Sequence, residues 1–328
     1  MEKRIRFITR IADRNVGSYR IWIHDLHRYF KELNIPSAIS SNPTFLGKDD
    51  IENSEIIIVG KGEPELAANI KSKHPEKKVG LINPAIGNYD YCDFLIVGSI
   101  EEQASLSMNK NVFLYPLIED LYQNIEIKTH TDVDVLRFCF HGHYPHLAKF
   151  DPYATAALEE FSKEANIELL TIHGHPEFNW EVGRPNIPIR FKKWSIDTIV
   201  NDILSTDIGL CPNITYVDYK CNQIIETGVY NTDYVTRFKN KSNAGRAFVF
   251  HQLGLPVITD LTPSNLHILG NPAHGLIVAN KDGWLKAFRE LLSYKKRNKM
   301  ALKAKQEFDR LYNPLIWAKN LYSQLNEL

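Results

Sequence analysis

The chain has 328 residues with 39 basic and 39 acidic side chains, 44% hydrophobic residues and four cysteines, which is room for one large or two medium globular domains. Zero net charge removes the broad basic surface on which nucleic-acid affinity mostly rests, and so argues against DNA or RNA as the main ligand. Cys92, Cys139, Cys211 and Cys221 form no CxxC pair, and no run reaches the roughly 20 apolar residues of a membrane-spanning helix, so the expectation is a soluble cytoplasmic protein with reduced thiols.

Short β-branched runs alternate with helical segments, which predicts an α/β fold with parallel sheets. The first strand, Ile5–Ile8, passes through a loop holding Asp13, Arg14 and Gly17 into a helix over Ser18–Leu33, with Ser18 as its cap. Strands follow at Glu55–Val59, Val79–Ile82, Phe94–Val97 and Val112–Tyr115, with helices near Glu63–Ser72 and Ser99–Ser107. Residues 1–118 therefore form a first unit, and the polar segment 119–132 reads as a linker. A fresh strand, Val135–Phe140, opens a second series over 133–313. It holds a helix at Pro152–Glu164, strands at Ile167–Ile172 and Ile187–Arg190, a helix at Ser195–Leu204 and a strand at Ile208–Cys211. A polar stretch then leads to a helix at Ser242–Leu253, a strand at Pro256–Thr259, a short helix at Ser264–Leu269 and a strand at Gly275–Val278. Asn313–Pro314 separates the last two of three closing helices. Leu315, Trp317, Ala318, Leu321 and Leu325 give the final one, 314–328, an apolar stripe that should pack on the first unit. Two Rossmann-like units facing across a cleft place the ligand site at the carboxyl ends of the strands.

The most informative segment is FKNKSNAGRAFVFHQLGLPVITD, in which a basic loop feeds a helix, a Gly-Leu-Pro turn and a buried strand. Ser242 or Asn243 at the helix start, with Lys239, Lys241 and Arg246, would make an anion site; the plainer reading is a solvated basic loop before a core helix. Two triplets, His141-Gly142-His143 and His173-Gly174-His175, each end a predicted strand. They fit contacts to phosphate or sugar, structural loop histidines, or transition-metal ligation, the last disfavoured because no acidic or cysteine partner sits at a fixed spacing. Asp13 could serve as a general base or as an ordinary turn residue. Among Lys295, Lys296, Arg297 and Lys299, a solvated helix face competes with contact to anionic lipid at the inner face of a membrane. No GxSxG, HExxH, Walker or GxGxxG string is present.

FHGHYPHLAK, STDIGLCP, HQLGLPVITD and NPAHGLIVANKDGWLKAFRELL, in that order, resemble the donor-nucleotide half of the GT-B glycosyltransferases, in particular the retaining, family 4-like enzymes of bacterial polysaccharide assembly. NVGSYRIWIHDLHRYFKELNI is similar to their first glycine-bearing loop and helix. The resemblance implies transfer of a sugar from a nucleotide-sugar donor to a hydroxyl of a surface glycan or lipid-linked saccharide, with no metal or other cofactor. It assigns the first unit to the acceptor and the second to the donor. Carried over by position, Lys149, Lys239, Lys241, Ser242, Asn243 and Arg246 would hold the donor phosphates. Asp13, His141 and His143 would flank the reaction, and Arg14, Gly17 and Arg20 would lie on the acceptor side. The chain departs from the family at its glutamate pair, whose positions fall on Lys241 and Val249, and at the phosphate-gripping arginine, where His143 stands. Those departures keep two alternatives open: a non-catalytic glycan- or partner-binding subunit of the same fold, and a nucleotide-sugar epimerase or hydrolase.

Overall fold

The computed structural model describes residues 3–11, 13–41, 51–84, 89–106, 110–148, 150–212 and 243–328. The chain divides into two compact units, Met1–Leu121 with Leu311–Leu328, and Tyr122–Arg310. Each is built on a six-stranded, wholly parallel sheet with helices on both faces.

In the first unit the strands are β1 (Ile5–Ile8), β2 (Ser37–Ser40), β3 (Ile56–Val59), β4 (Lys78–Ile82), β5 (Phe94–Val97) and β6 (Asn111–Leu114), in the order β2-β1-β3-β4-β5-β6. Alternate residues of a strand point to opposite faces, so a sheet covered on both sides needs apolar residues at every position. β3 reads IIIV and β5 reads FLIV, and all eight residues are buried. Phe7, Ile56, Ile58 and Ile96 pack with Trp22, Leu26 and Phe30 of the first helix and with Ala318, Leu321 and Leu325 of the last one, Pro314–Asn326. On the other face Ile57, Val59, Leu81 and Val97 meet Leu66, Ala67 and Ile70 of helix Pro64–Lys73.

The first helix starts at Gly17 with Val16 at the cap position and no side-chain cap, so Ser18 does not cap it. It runs as Gly17–Tyr19, a π-helical stretch Arg20–Asp25, and Leu26–Glu32. The wider π turn offsets the side chains, and Arg20, Ile21, Trp22, Ile23 and Asp25 are all buried. Strand β2 escapes the sequence pattern because it is a four-residue edge with every position half-buried.

In the second unit β7 (Leu136–His141), β8 (Ile167–His173), β9 (Ile189–Lys193), β10 (Ile208–Cys211), β11 (Val257–Asp260) and β12 (Leu276–Val278) run in the order β12-β11-β10-β7-β8-β9. That is the doubly wound order in which chain direction across the sheet reverses between β7 and β10. Phe138, Phe161, Trp284 and Phe288 fill one core. The buried Trp284 Nε1 donates to Asp151 Oδ2 at 2.9 Å, and the other oxygen of Asp151 caps helix Pro152–Phe161 through Tyr153 N–H. Helix Gly245–Leu253 ends at Gly254, whose φ of +74° only glycine adopts readily. A Cβ there would stand 2.6 Å from Ile127 Cβ, and this close approach lets Lys128 N–H donate to the Leu253 carbonyl at 3.0 Å. Among the described residues no helix is long and apolar enough to cross a membrane.

Candidate functional site

In open α/β sheets, ligands bind beyond the carboxyl ends of the strands where strand order reverses. The second sheet reverses between β7 and β10, and the residues leaving those strands are His141-Gly142-His143 and Cys211-Pro212. Helix Gly245–Leu253 begins at the same edge. Arg246, from its first turn, is half-buried: Nη2 donates to the Pro212 carbonyl at 2.9 Å, and the guanidinium lies 5.1 Å from the centre of the Phe140 ring. Gly142 has φ +130°, and a Cβ on it would stand 3.4 Å from Arg246 Cδ, so glycine serves both the turn and the room the arginine occupies. Arg246 is thus a fixed cation, held by a ring, a carbonyl and a glycine.

The helix starts at Gly245 with Ala244 at its cap position, three residues later than the sequence suggested, and Gly245 N–H donates to Asn243 Oδ1 at 3.1 Å. His141 is buried, packs edge-on against Phe250 at 4.9 Å, and its Nε2 has no hydrogen-bond partner among the described residues. Burial, then the adjacent Arg246 charge, lowers its pKa to about 3, so the ring is neutral near pH 7. His143 is exposed at the rim, beside Tyr144 and His146. The second triplet divides differently. His173 is buried between Phe178 and Phe191, each 4.6 Å away, with its pKa lowered to about 4 by that burial, and its Nδ1 accepts from His175 N–H at 3.3 Å. Among the described residues no group of three or more His, Cys, Asp or Glu side chains is placed to hold a metal ion. Lys149, Lys239, Lys241, Ser242 and Cys221 lie outside the described residues.

In the first sheet the order reverses between β1 and β3. Beyond β1, exposed Asp13 accepts from both Asn15 N–H and Asn15 Nδ2 through Oδ1 at 2.9 Å, an Asx turn of the kind the plainer reading anticipated. Arg14 is exposed and Gly17 half-buried. Arg20, expected on the acceptor side, is buried, pairs with Glu119 and donates to the Arg14 carbonyl, which ties the helix to the chain leaving this unit. Asp120 is held there too, by Tyr29 O–H at 2.8 Å. Sequence reasoning missed Asp25 and Glu63. Asp25 is buried, and its pKa is raised to about 6, chiefly by burial and then by Asp120. Arg297 is a further correction. It is fully buried and donates to the carbonyls of Leu291, Leu292 and Thr131, while Lys295, Lys296 and Lys299 are exposed.

No family model matches the chain, and no curated protein matches it by sequence. Solved structures do match in fold. HepE from Anabaena, in complex with UDP and glucose, superposes with a TM-score of 0.63 at 9% identity over 99% of this chain and 100% of that one. Sucrose-phosphate synthase from Thermosynechococcus elongatus gives 0.63 at 10% over 98% and 99%. An α-glucosyltransferase bound to UDP and a 13-mer DNA gives 0.60 at 8% over 99% and 100%. The fold is therefore of the GT-B class, two parallel six-stranded α/β units in one chain.

Proposed function

We propose that the protein is a glycosyltransferase that uses a nucleotide-sugar donor, with the diphosphate held where β7 and β10 part. The observation that carries this reading is the Arg246 guanidinium, fixed by Phe140, Gly142 and Pro212 beside the amino end of helix Gly245–Leu253. A preorganised cation and a helix's positive end both favour an anion and need no rearrangement as charge develops on a leaving phosphate. The UDP in the HepE and α-glucosyltransferase structures supports a nucleoside diphosphate as that anion. Asn243 and, from the segment preceding it, Lys239, Lys241 and Ser242 would add phosphate contacts, as would Lys149. His141, neutral, would accept or donate a single hydrogen bond rather than supply charge, and exposed His143 would reach the transferred sugar. Asp13, Arg14 and Gly17 would border the acceptor, a glycan or lipid-linked saccharide, and the exposed Lys295, Lys296 and Lys299 would face anionic lipid at the cytoplasmic side of a membrane. The retaining, family 4-like assignment and independence from metal extend the sequence resemblance.

One observation favours a second reading. Val249 is fully buried at a position where the resembled family carries a glutamate, so that residue offers a nucleotide nothing, and a non-catalytic binding subunit is the alternative. Incubating the protein with UDP-, GDP-, dTDP- and CMP-sugars and quantifying released nucleotide separates them. The enzyme reading expects slow release from one donor class. Binding of a nucleotide without release from any of these sugars favours the binding subunit.

A further inference from the structure

The carboxyl edge of the first sheet carries a carboxylate that the proposed function does not use. Glu63 follows β3 and sits at the start of helix Pro64–Lys73, 7% exposed. Its Oε1 accepts from Thr9 Oγ1 at 2.9 Å and from Arg10 N–H at 2.8 Å, so the residues leaving β1 and β3 meet on one oxygen. A Cβ on Gly60 would stand 2.8 Å from Thr9 Oγ1 and 3.2 Å from Glu63 Oε1, and only a glycine there admits the pair. Tyr19 closes another side: its hydroxyl donates to the Lys61 carbonyl at 2.9 Å, and the Glu63 charge adds to burial in raising its pKa. Glu63 Oε2 is shut off from water and has no hydrogen-bond partner among the described residues. Arg10 Nε stands 3.9 Å from it, beyond hydrogen-bond reach, on a side chain that is 60% exposed.

A buried carboxylate oxygen without a donor is costly unless something supplies one. Arg10 N–H donates to Oε1, and the Thr9 hydroxyl, which also reaches the Ile11 carbonyl at 3.0 Å, lies against the same oxygen, so Oε1 is the engaged oxygen and Oε2 the open one. A metal ion is a poor occupant, because Arg10 is the neighbouring charge and, among the described residues, no cluster of His, Cys, Asp or Glu side chains converges here. A neutral hydroxyl donor fits. We propose that Glu63 is an acceptor-binding residue: a sugar hydroxyl displaces Arg10 and donates to Oε2, at the strand reversal of the first sheet. This deepens the glycosyltransferase reading and rests on it, since it gives that reading its acceptor contact.

The test is saturation-transfer NMR on the full chain with methyl glycosides of glucose, galactose, mannose and N-acetylglucosamine, with and without UDP, beside calorimetric UDP titrations. Glu63→Gln keeps an oxygen for Thr9 and Arg10 but turns the second acceptor into a donor. At least one glycoside should bind the native protein, with affinity falling at least tenfold in Glu63→Gln while UDP affinity stays within twofold. Arg10→Met, at an exposed side chain, should tighten the same glycoside, and this keeps the test readable if Glu63→Gln misfolds. Glycoside binding that is absent in the native protein, equal in Glu63→Gln, or no tighter in Arg10→Met overturns the assignment, including the case where Oε2 holds only water. Failure of UDP to bind strikes the donor reading instead, and the glycoside result without UDP then still decides Glu63.

Discussion

Replacing Asp25 by asparagine should stabilise the protein at neutral pH, although the residue is buried and hydrogen-bonded. Asp25 lies among Arg20, Glu119 and Asp120 with Tyr115 close by, its Oδ2 has no hydrogen-bond partner among the described residues, and its pKa is raised from 3.8 to about 6. A carboxyl whose folded pKa exceeds its unfolded one binds its proton more tightly when folded. The stability it confers is complete below about pH 4 and is lost as pH rises through 6. At pH 7.5 the charged form therefore costs the fold up to about 3 kcal/mol, from roughly 1.4 kcal/mol per pH unit. Asparagine removes the charge and keeps an oxygen for the Asp120 backbone N–H. We expect a gain of about 1–3 kcal/mol at pH 7.5, a rise of several degrees in the melting temperature by calorimetry. The gain should shrink at pH 5 and vanish near pH 4, where Asp25 is itself protonated. Equal destabilisation by Asp25→Asn at pH 7.5 and pH 4.5 would refute the reasoning and show that the residue acts through its hydrogen bond rather than through a buried charge.

Other expectations concern the second unit and the last helix. Gly142→Ala forces a non-glycine residue to φ +130° and presses a methyl to 3.4 Å from Arg246 Cδ. It should cost about 1–3 kcal/mol in thermal stability and weaken UDP binding together with it. His130, His141, His173 and His251 have pKa values lowered by burial to about 4, 3, 4 and 3. For each the folded pKa lies below the unfolded 6.5, so these groups should withdraw stability from the second unit as pH falls from about 6.5 to 4. Pulsed hydrogen exchange should then show the β7 and β8 amides losing protection over that interval. Ending the chain at Tyr312 removes Ala318, Leu321 and Leu325 from the first core, at about 2–5 kcal/mol for each large side chain lost. First-unit melting should fall steeply while UDP affinity, assigned to the second unit, is retained. Treatment with a chelator should leave both melting temperature and UDP affinity unchanged.

The strands that organise both sheets were legible because a parallel sheet covered on both faces demands continuous apolar runs, as in IIIV at β3 and FLIV at β5. The edge strand β2, SAIS, carries no such demand and no such signal. Helix Gly245–Leu253 was visible in its Gly-Leu-Pro ending. Its start was misplaced because Ser242 and Asn243 look equally fit to cap, and only tertiary contact between Arg246 and the β7 edge decides the matter. The charges were least legible. Nothing in the sequence signals what holds Arg20, Arg246 and Arg297, yet each is held by carbonyls or a carboxylate contributed from distant sequence: Glu119, Pro212 and Thr131 respectively. Glu63 had a faint signal, a carboxylate between the GKG turn and the proline that begins a helix. What makes it a site is Thr9, more than fifty residues away.

The central claim is that the β7–β10 edge binds a nucleoside diphosphate through a preorganised Arg246. Calorimetric titration of UDP, GDP and dTDP into native protein and Arg246→Met tests it most directly. The account predicts one site per chain for at least one of these diphosphates, tighter than for the corresponding monophosphate. It further predicts a loss of about 1.5–3 kcal/mol, or roughly 10- to 150-fold in affinity, in Arg246→Met. Absence of heat with every nucleotide, or equal affinity in the variant, would contradict it.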